Sequence, residues 1–479
     1  MAVLEHLQPK NVFYFFEELS KIPHGSTNTK AISDWCVKFA KERGLEHYQD
    51  KKNNVIIIKE ATAGYENAEP VILQGHLDMV CEKAPDCTKD MENEGLDLVV
   101  EGDTVYAKGT TLGGDDGIAV AMALAILDAH DIPHPRVEAV LTTDEEIGML
   151  GAVDIDVSPL KARRMINVDS EVEGIFTVSC AGGNMTRCEL PLNRETYSGS
   201  AMTIRVSGLT GGHSGAEIDK GRGNSSMLMG RVLCALGKKT AFRLVSAAGG
   251  LKDNAIPRET TVVLIAEDAD AVRAVCAEFD STFKNEYRTT DADVTVTVEQ
   301  TKTDSLPMDK DSTERVVCLL TCAPNGIQVM SADMPGLVQT SLNLGVLITE
   351  EDRLYASFCV RSSVATQKHM LVERLQELTA RLGGTVAVFG DYPGWEYQTE
   401  SPLRNLMVEI YREQYGCDPK IEAIHAGVEC GMFADKIPGL DCVSFGPNLT
   451  EIHTCRERMH IASVQRVYKM ILEILRRMK

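Results

Sequence analysis

The run Val71-Ile72-Leu73-Gln74-Gly75-His76-Leu77-Asp78-Met79-Val80 constrains the fold of this chain more than any other stretch. It opens as the unbroken apolar segment of a strand buried on both faces, which is the pattern of a parallel sheet, and passes through Gly75 into His-Leu-Asp. Side chains alternate along a strand, so His76 and Asp78 point to one side and Leu77 to the other. An imidazole and a carboxylate so placed can form half of a metal site, the acid orienting the ring. Pairs of this kind also occur as satisfied polar groups at strand ends, so the rest of the chain has to decide between the two.

The arrangement recurs. The strand pattern at 136–143 runs into Asp144-Glu145-Glu146, and that at 164–169 ends on Asp169. Between them, Lys108-Gly-Thr-Thr-Leu-Gly-Gly-Asp115-Asp116-Gly117 leads directly into an apolar helix at 118–129. Glycines before a helix suggest a phosphate loop, but the Gly-Lys-Ser/Thr ending is missing and two acids would repel phosphate. Those acids could simply complement the helix macrodipole, or Asp115 could face a cation across the top of the sheet. Strands alternating with helices, including a strand at 54–59 and helices at 10–21 and from Thr27 or Asn28 to Gly44, predict a doubly wound, mostly parallel α/β domain. Open sheets of that kind place their sites at the carboxyl ends of the strands, where this sequence repeatedly delivers His or acid.

The texture changes between about 184 and 393. Strand-like segments (203–208, 260–267, 293–300, 353–361, 385–389) alternate with helix-like ones (225–237, 268–283, 313–322, 366–382), and none of these strands ends in an acidic cluster like 144–146. This predicts an α+β domain, 184–393, inserted into a catalytic domain made of 1–183 and 394–479, with a two-part internal symmetry that the pattern suggests without establishing. His213 in Gly-Gly-His-Ser-Gly, Asn254 and Arg361 stand out in it, each readable as a turn or strand-end polar group. After the insertion a helix is expected at 401–416, capped by Ser401, with Pro402 at its first position and Gly416 at its end. A short strand at 421–424 then runs into His425-Ala-Gly-Val-Glu429-Cys-Gly431, and His453 follows before an amphipathic last helix at 461–478.

Composition narrows the partners. Forty-nine basic against seventy acidic residues leave a formal charge of −21, which argues against nucleic acid or an anionic membrane surface. The fourteen cysteines contain no Cys-x-x-Cys pair. No basic-then-apolar leader and no uncharged run long enough to span a bilayer are present, so a cytoplasmic protein is expected.

The donors are two imidazoles, His76 and His453, and four carboxylates, Asp115, Glu145, Glu146 and Asp169. Nitrogen and oxygen ligands without thiolate suit two divalent metal ions, Zn²⁺ first, with Mn²⁺ or Co²⁺ as alternatives. One glutamate of the Glu145–Glu146 pair then remains free to act as a general base, and the residues alone point to a metal-dependent hydrolase.

The motifs Gly75-His76-Leu77-Asp78-Met79-Val80, Thr110-Thr-Leu-Gly-Gly-Asp115, Thr143-Asp-Glu-Glu-Ile-Gly148, His425-Ala-Gly-Val-Glu-Cys-Gly431 and Ile452-His453 resemble, in order and over essentially the whole chain, those of the lid-containing di-zinc exopeptidases and deacylases. They are similar in particular to the branch that cleaves Xaa-His dipeptides. The resemblance implies that His76 and Asp169 hold one metal, Glu146 and His453 the other, and that Asp115 bridges them. It implies that Asp78 orients His76 and that Glu145 serves a hydroxide bridging the metals as general base. In the inserted lid, His213 would stabilise the oxyanion while Asn254 and Arg361 hold the substrate carboxylate.

Two positions depart from the family. Gly117 stands where many relatives carry lysine, and Asp116 where this branch often has Asn, which leaves substrate identity less defined than the metal site. A homodimer through the lid is one expectation; the lid's length would alternatively let His213 act within its own chain. The rivals are a tripeptidase or N-acyl amino acid deacylase of the same superfamily, and a metal-dependent binding protein without catalysis.

Overall fold

Every residue of the strand Val71–His76 is buried, as its apolar run requires, and it lies inside an eight-stranded sheet in the computed structural model, which describes residues 2–479. Across this sheet the strands run Glu46–Gln49, Val55–Lys59, Val137–Thr142, Val71–His76, Arg164–Asn167, Asp441–Ser444, Ile175–Cys180 and Lys420–Ile424. The four central strands, Val137–Thr142 to Asp441–Ser444, are mutually parallel, while Glu46–Gln49 and Val55–Lys59 add on antiparallel. The mixed α/β class expected from the alternating pattern is the one observed.

The helix Gly114–Asp128 is apolar all round, and Ile118 to Leu127 are all buried. A helix of that kind needs cover on every side; here it packs on Val71–His76 and on the helix Lys10–Ser20. The close approach to the sheet depends on Gly75: a Cβ there would lie 2.5 Å from Asp116 Oδ2 and 2.9 Å from the Ala119 Cβ. The helix Pro402–Tyr415 has the ends its sequence announces. Ser401 Oγ accepts the Arg404 N–H at 3.0 Å, and Gly416 closes it at φ 74°. The second helix starts later than Thr27 or Asn28, at Lys30, because Thr27 sits in the left-handed region at φ 69° and gives its N–H to Asp144 Oδ1.

By packing, the chain forms two units: one comprises the residues up to Ser179 with Tyr397–Ala423 and Val428–Lys479, the other Cys180–Glu396 with Ile424–Gly427. The second unit is built on a nine-stranded antiparallel sheet, in the order Thr295–Gln300, Ser200–Ser207, Thr260–Ala266, Phe242–Gly249, Val338–Thr349, Arg353–Ser362, Gly182–Pro191 and Thr385–Tyr392, with Gly326–Met330 paired to Val338–Thr349. Its two halves repeat one topology. Ser200–Ser207, helix Ser225–Leu236, Phe242–Gly249, Thr260–Ala266, helix Ala269–Glu286 and Thr295–Gln300 make one β-α-β-β-α-β set. Gly182–Pro191, helix Lys310–Cys322, Val338–Thr349, Arg353–Ser362, helix Ala365–Arg381 and Thr385–Tyr392 make the other. The halves join edge to edge where Gly249 pairs with Leu347. The internal symmetry suggested by the sequence is therefore a nested repeat, obscured because the first set is inserted after the opening strand of the second. Among the described residues no helix is long and apolar enough to cross a membrane.

Candidate metal centre

His76 is the last residue of its strand and wholly buried, and its ring is held from both sides. Nδ1 lies 2.9 Å from the Asp78 backbone oxygen and 3.6 Å from the Asp78 carboxylate, while Nε2 lies 3.0 Å from Asp115 Oδ1 and 3.7 Å from Asp169 Oδ1. The Asp78 carboxylate is itself anchored. Oδ1 accepts the Glu145 N–H at 3.0 Å, and Oδ2 accepts the Glu146 N–H at 3.3 Å and the Ser26 hydroxyl at 2.8 Å. Asp78 thus ties the turn carrying the two glutamates to the strand carrying His76.

Asp115 faces two imidazoles with different oxygens: Oδ1 to His76, and Oδ2 to His453 Nε2 at 3.1 Å. His453 Nε2 also lies 3.0 Å from Glu146 Oε1. His453 reaches this position from a loop bend at φ 58°, and Asp144, just before the glutamates, bends at φ 54°. Side chains other than glycine seldom occupy that region, and such residues concentrate at functional sites.

His76, Asp115, Glu145, Glu146, Asp169 and His453 therefore come together from five chain segments. Their donor atoms form three groups with members within 4.8 Å of one another: His76, Asp116 and Asp169; His76, Glu145 and Glu146; and Asp115, Glu146 and His453. Asp116 is an addition to the set read from the sequence. It is buried, its Oδ2 accepts the His76 N–H at 3.2 Å, and its peptide bond to Asp115 is cis.

Asp115 is held ionised by the two imidazoles, but other buried acids around it resist ionisation. Burial, reinforced by neighbouring carboxylates, raises Asp169 to about 6 and Glu171 to about 7 and lifts Glu145 well above the usual carboxylate range. Against its burial, the nearby carboxylates of Asp115, Asp169 and Asp78 raise His76; those of Asp115 and Glu146 raise His453 to about 10. Imidazole and carboxylate donors whose ligand atoms converge within 4.8 Å of one another, with no thiolate among them, fit divalent cations.

One residue of this centre carried no signal that sequence reading used. Glu457, 3% exposed, accepts four backbone N–H groups along the loop that leads to Asp115. Oε2 takes those of Leu112 at 2.7 Å and Gly113 at 3.1 Å; Oε1 takes those of Gly114 at 2.8 Å and Asp115 at 3.4 Å. A glutamate four residues after a histidine in a loop looks like solvated charge until the loop is folded.

In the second unit, His213 and Arg361 lie close together beside Gly215, and the backbone of Asn254 meets the His213 segment. His213 pairs with Ala255 across a two-residue ladder, and Ser214 N–H bonds the Asn254 carbonyl at 2.9 Å. His213 Nδ1 accepts the N–H groups of Gly215 at 3.2 Å and Ala216 at 3.0 Å. Backbone amides can only donate, so Nδ1 is bare and the neutral ring carries its proton on Nε2. Burial, then the Arg361 charge, lowers the pKa of His213 and favours that neutral form. Arg361 is 6% exposed; its Nη1 donates to the Tyr392 hydroxyl at 3.1 Å and its Nε has no partner. Among the described residues no carboxylate pairs with it within salt-bridge distance. The Asn254 side chain is exposed.

A family model described as peptidase family M20/M25/M40 matches residues 72–477. The chain is 35% identical to the cytosol non-specific dipeptidase of Escherichia coli (strain K12), over 99% of each chain. The crystal structure of aminoacylhistidine dipeptidase from Vibrio alginolyticus matches with a TM-score of 0.95 at 34% identity, covering 99% of this chain and 97% of that one. The aminopeptidase PepT of Bacillus cereus shares the fold, with a TM-score of 0.56 at 15% identity over 98% of this chain and 99% of that one. With most of its length matched by the family model and a full-length relative above 30% identity, the chain belongs to peptidase family M20/M25/M40.

Proposed function

We propose that the chain is a metal-dependent dipeptidase that hydrolyses unblocked dipeptides, Xaa-His among them, in the cytoplasm. The observation that carries this reading is the division of the two Asp115 oxygens between His76 and His453. Asp115 so placed would serve two ions, with His76 and Asp169 the further residues that would hold one and Glu146 and His453 those that would hold the other. The full-length likeness to two proteins named as dipeptidases, one of them for aminoacylhistidine, supports the substrate class. Zn²⁺ fits the donors first, with Mn²⁺ or Co²⁺ as alternatives.

Bound ions would supply Lewis acidity and a water acidified towards neutral pH. Glu145, unlike Glu146, forms no ion pair with an imidazole among the described residues, and it serves as the base. It takes the proton of the attacking water on its carboxylate and delivers it to the departing amide nitrogen. A carboxyl pKa raised by burial suits a group that must both accept and release a proton near neutrality. His213 donates from Nε2–H to the carbonyl oxygen as it gains charge, and Arg361, with Asn254, receives the substrate carboxylate. A guanidinium that is buried without a carboxylate partner is suited to that task. The second unit acts as a lid and as the surface for a homodimer.

The test measures histidine release from β-alanyl-histidine and Gly-His beside an N-acetylated amino acid, with metal-reconstituted protein and with a metal-retaining Glu145→Ala variant. Cleavage of the dipeptides alone, lost in the variant, is the expected result. Cleavage of the acetylated compound instead would identify a deacylase. No turnover with two ions bound would identify a binding protein.

A further inference from the structure

Beneath and beside the metal centre lies a second polar layer, one residue per strand. Gln74 stands two positions before His76, Asn167 two before Asp169, and Thr142 three before Glu145. These belong to three adjacent parallel strands, with Gln74 in register with Asn167 and His76 with Thr142. Side chains two apart on a strand share a face, so Gln74 lies directly under His76. All three side chains are buried at 0–2% exposure.

Glu429 joins this layer. It opens the helix Glu429–Lys436, is wholly buried, and comes from a chain segment 355 positions beyond Gln74. Its Oε2 accepts Gln74 Nε2 at 2.5 Å and the Thr142 hydroxyl at 2.7 Å, and Gln74 Oε1 in turn accepts Asn167 Nδ2 at 2.5 Å. Among the described residues its other oxygen, Oε1, has no partner, and neither has Asn167 Oδ1. A carboxylate with one bare oxygen in a fully buried place is a poor choice for stability, since an apolar side chain of similar volume would cost less. Burial raises its pKa to about 7, which measures the same penalty.

We infer that Glu429 is a positioning residue of the metal centre, whose carboxylate clamps the polar layer and so sets the spacing of the strand ends that carry His76, Asp169 and the Glu145–Glu146 pair. The inference rests on reading those residues as the metal site. Polar groups one shell behind metal ligands typically control metal affinity by ~10–100-fold, and that is the effect expected here.

The experiment compares wild type with Glu429→Leu and Glu429→Gln, titrating Co²⁺ and Zn²⁺ against a chromophoric chelator and recording the visible ligand-field bands of the cobalt-loaded proteins. Glu429→Leu should bind ~10–100-fold more weakly, with shifted bands, in protein that remains folded by circular dichroism. Glu429→Gln should recover most of the affinity and the wild-type bands, because a single oxygen makes every bond Glu429 has, and an amide oxygen can accept both. A purely structural glutamate would lower the unfolding midpoint in both variants and leave the bands of the folded protein unmoved. Should Glu429→Leu not fold, Thr142→Val and Gln74→Met each remove one of the two bonds and should weaken metal binding in the same direction. Wild-type affinity and unshifted bands in the variants, with two ions bound by wild type, overturn the positioning role. A wild-type protein that takes up no metal overturns the reading of the site itself.

Discussion

The carboxylate of Glu457 lies 2.8 Å from the backbone N–H of Gly114, a residue 343 positions earlier in the chain. Through this and its bonds to Leu112, Gly113 and Asp115, the segment that carries His453 fixes the loop that carries Asp115. Both oxygens of Glu457 accept, so neither can be exchanged for an N–H group. Glu457→Gln should therefore fail to rescue, because its amide would face donors. Both Glu457→Gln and Glu457→Ala should lose stability on the order of 3 kcal/mol from unsatisfied buried amides, and metal affinity by ~10–100-fold. Urea unfolding and chelator competition measure the two losses. A Gln variant indistinguishable from wild type would count against the clamp, and the contrast with Glu429→Gln separates the two glutamates.

Gly75 is set by contact. A methyl group there would sit 2.5 Å from Asp116 Oδ2 and 2.9 Å from the Ala119 Cβ, between a sheet and a helix with little freedom to part. Gly75→Ala should lose about 1–3 kcal/mol from overpacking. Adding Ala119→Gly should restore only part of it, since Asp116 remains in the way. Denaturant midpoints of the single and double variants decide; full restoration by the second change would place the strain wholly on Ala119.

The two lid side chains should divide their effects between kinetic constants. Under its proposed role, His213 donates only as the carbonyl oxygen gains charge, so His213→Gln should lower kcat by ~10²–10³ with little change in KM. Arg361→Lys keeps the charge but loses the fork, and should lower kcat/KM roughly 10–100-fold, mostly through KM. Steady-state kinetics on one dipeptide separates them. Equal effects on both constants in both variants would contradict the assigned roles.

His425 predicts a pH dependence of stability. It is 7% exposed, Ser341 Oγ lies 2.7 Å from its Nε2, and burial, then the charges of Arg361 and His213, lowers its pKa to about 3. Above the unfolded value near 6.5 the ring is neutral in both states and contributes no pH dependence. As pH falls below 6.5 the unfolded chain takes up a proton that the folded one refuses, so stability is lost progressively until about pH 3. Between pH 7 and pH 5 the loss from this group is about 2 kcal/mol. Unfolding of wild type and His425→Gln at both pH values should show the variant losing less by that amount; parallel losses would mean that His425 titrates normally.

What the sequence could convey was decided by local pattern. The apolar runs at 71–76 and 137–142 are buried strands because a continuous hydrophobic segment has no face to offer to water, and the caps of Pro402–Tyr415 are visible because Ser, Pro and Gly each meet one local backbone requirement. His and acid at the ends of such strands announce a site because the period of a strand fixes where its last side chain points. The strand Phe242–Gly249 and the strand Gly182–Pro191 lacked a comparable pattern and went unread, as did the small sheet of Leu98–Glu101, Thr104–Ala107, Leu449–Thr450 and Arg458–His460. Gly182–Pro191 pairs with Arg353–Ser362 and Thr385–Tyr392, and the hairpin of Leu98–Glu101 and Thr104–Ala107 is extended by Arg458–His460, partners far off in sequence.

The tertiary structure alone decided what lies behind the donors. Glu429 and Glu457 look in the sequence like ordinary surface acids, one in a glycine-rich turn and one beside arginines. Each becomes a buried acceptor because folding brings the C-terminal segment against the strands and the loop of the first third. The tautomer of His213 was equally hidden, since it follows from two amides aimed at Nδ1. Donor identity is a property of residue type and local period; the hydrogen bonds that orient donors come from partners hundreds of positions away, and those no local pattern can carry.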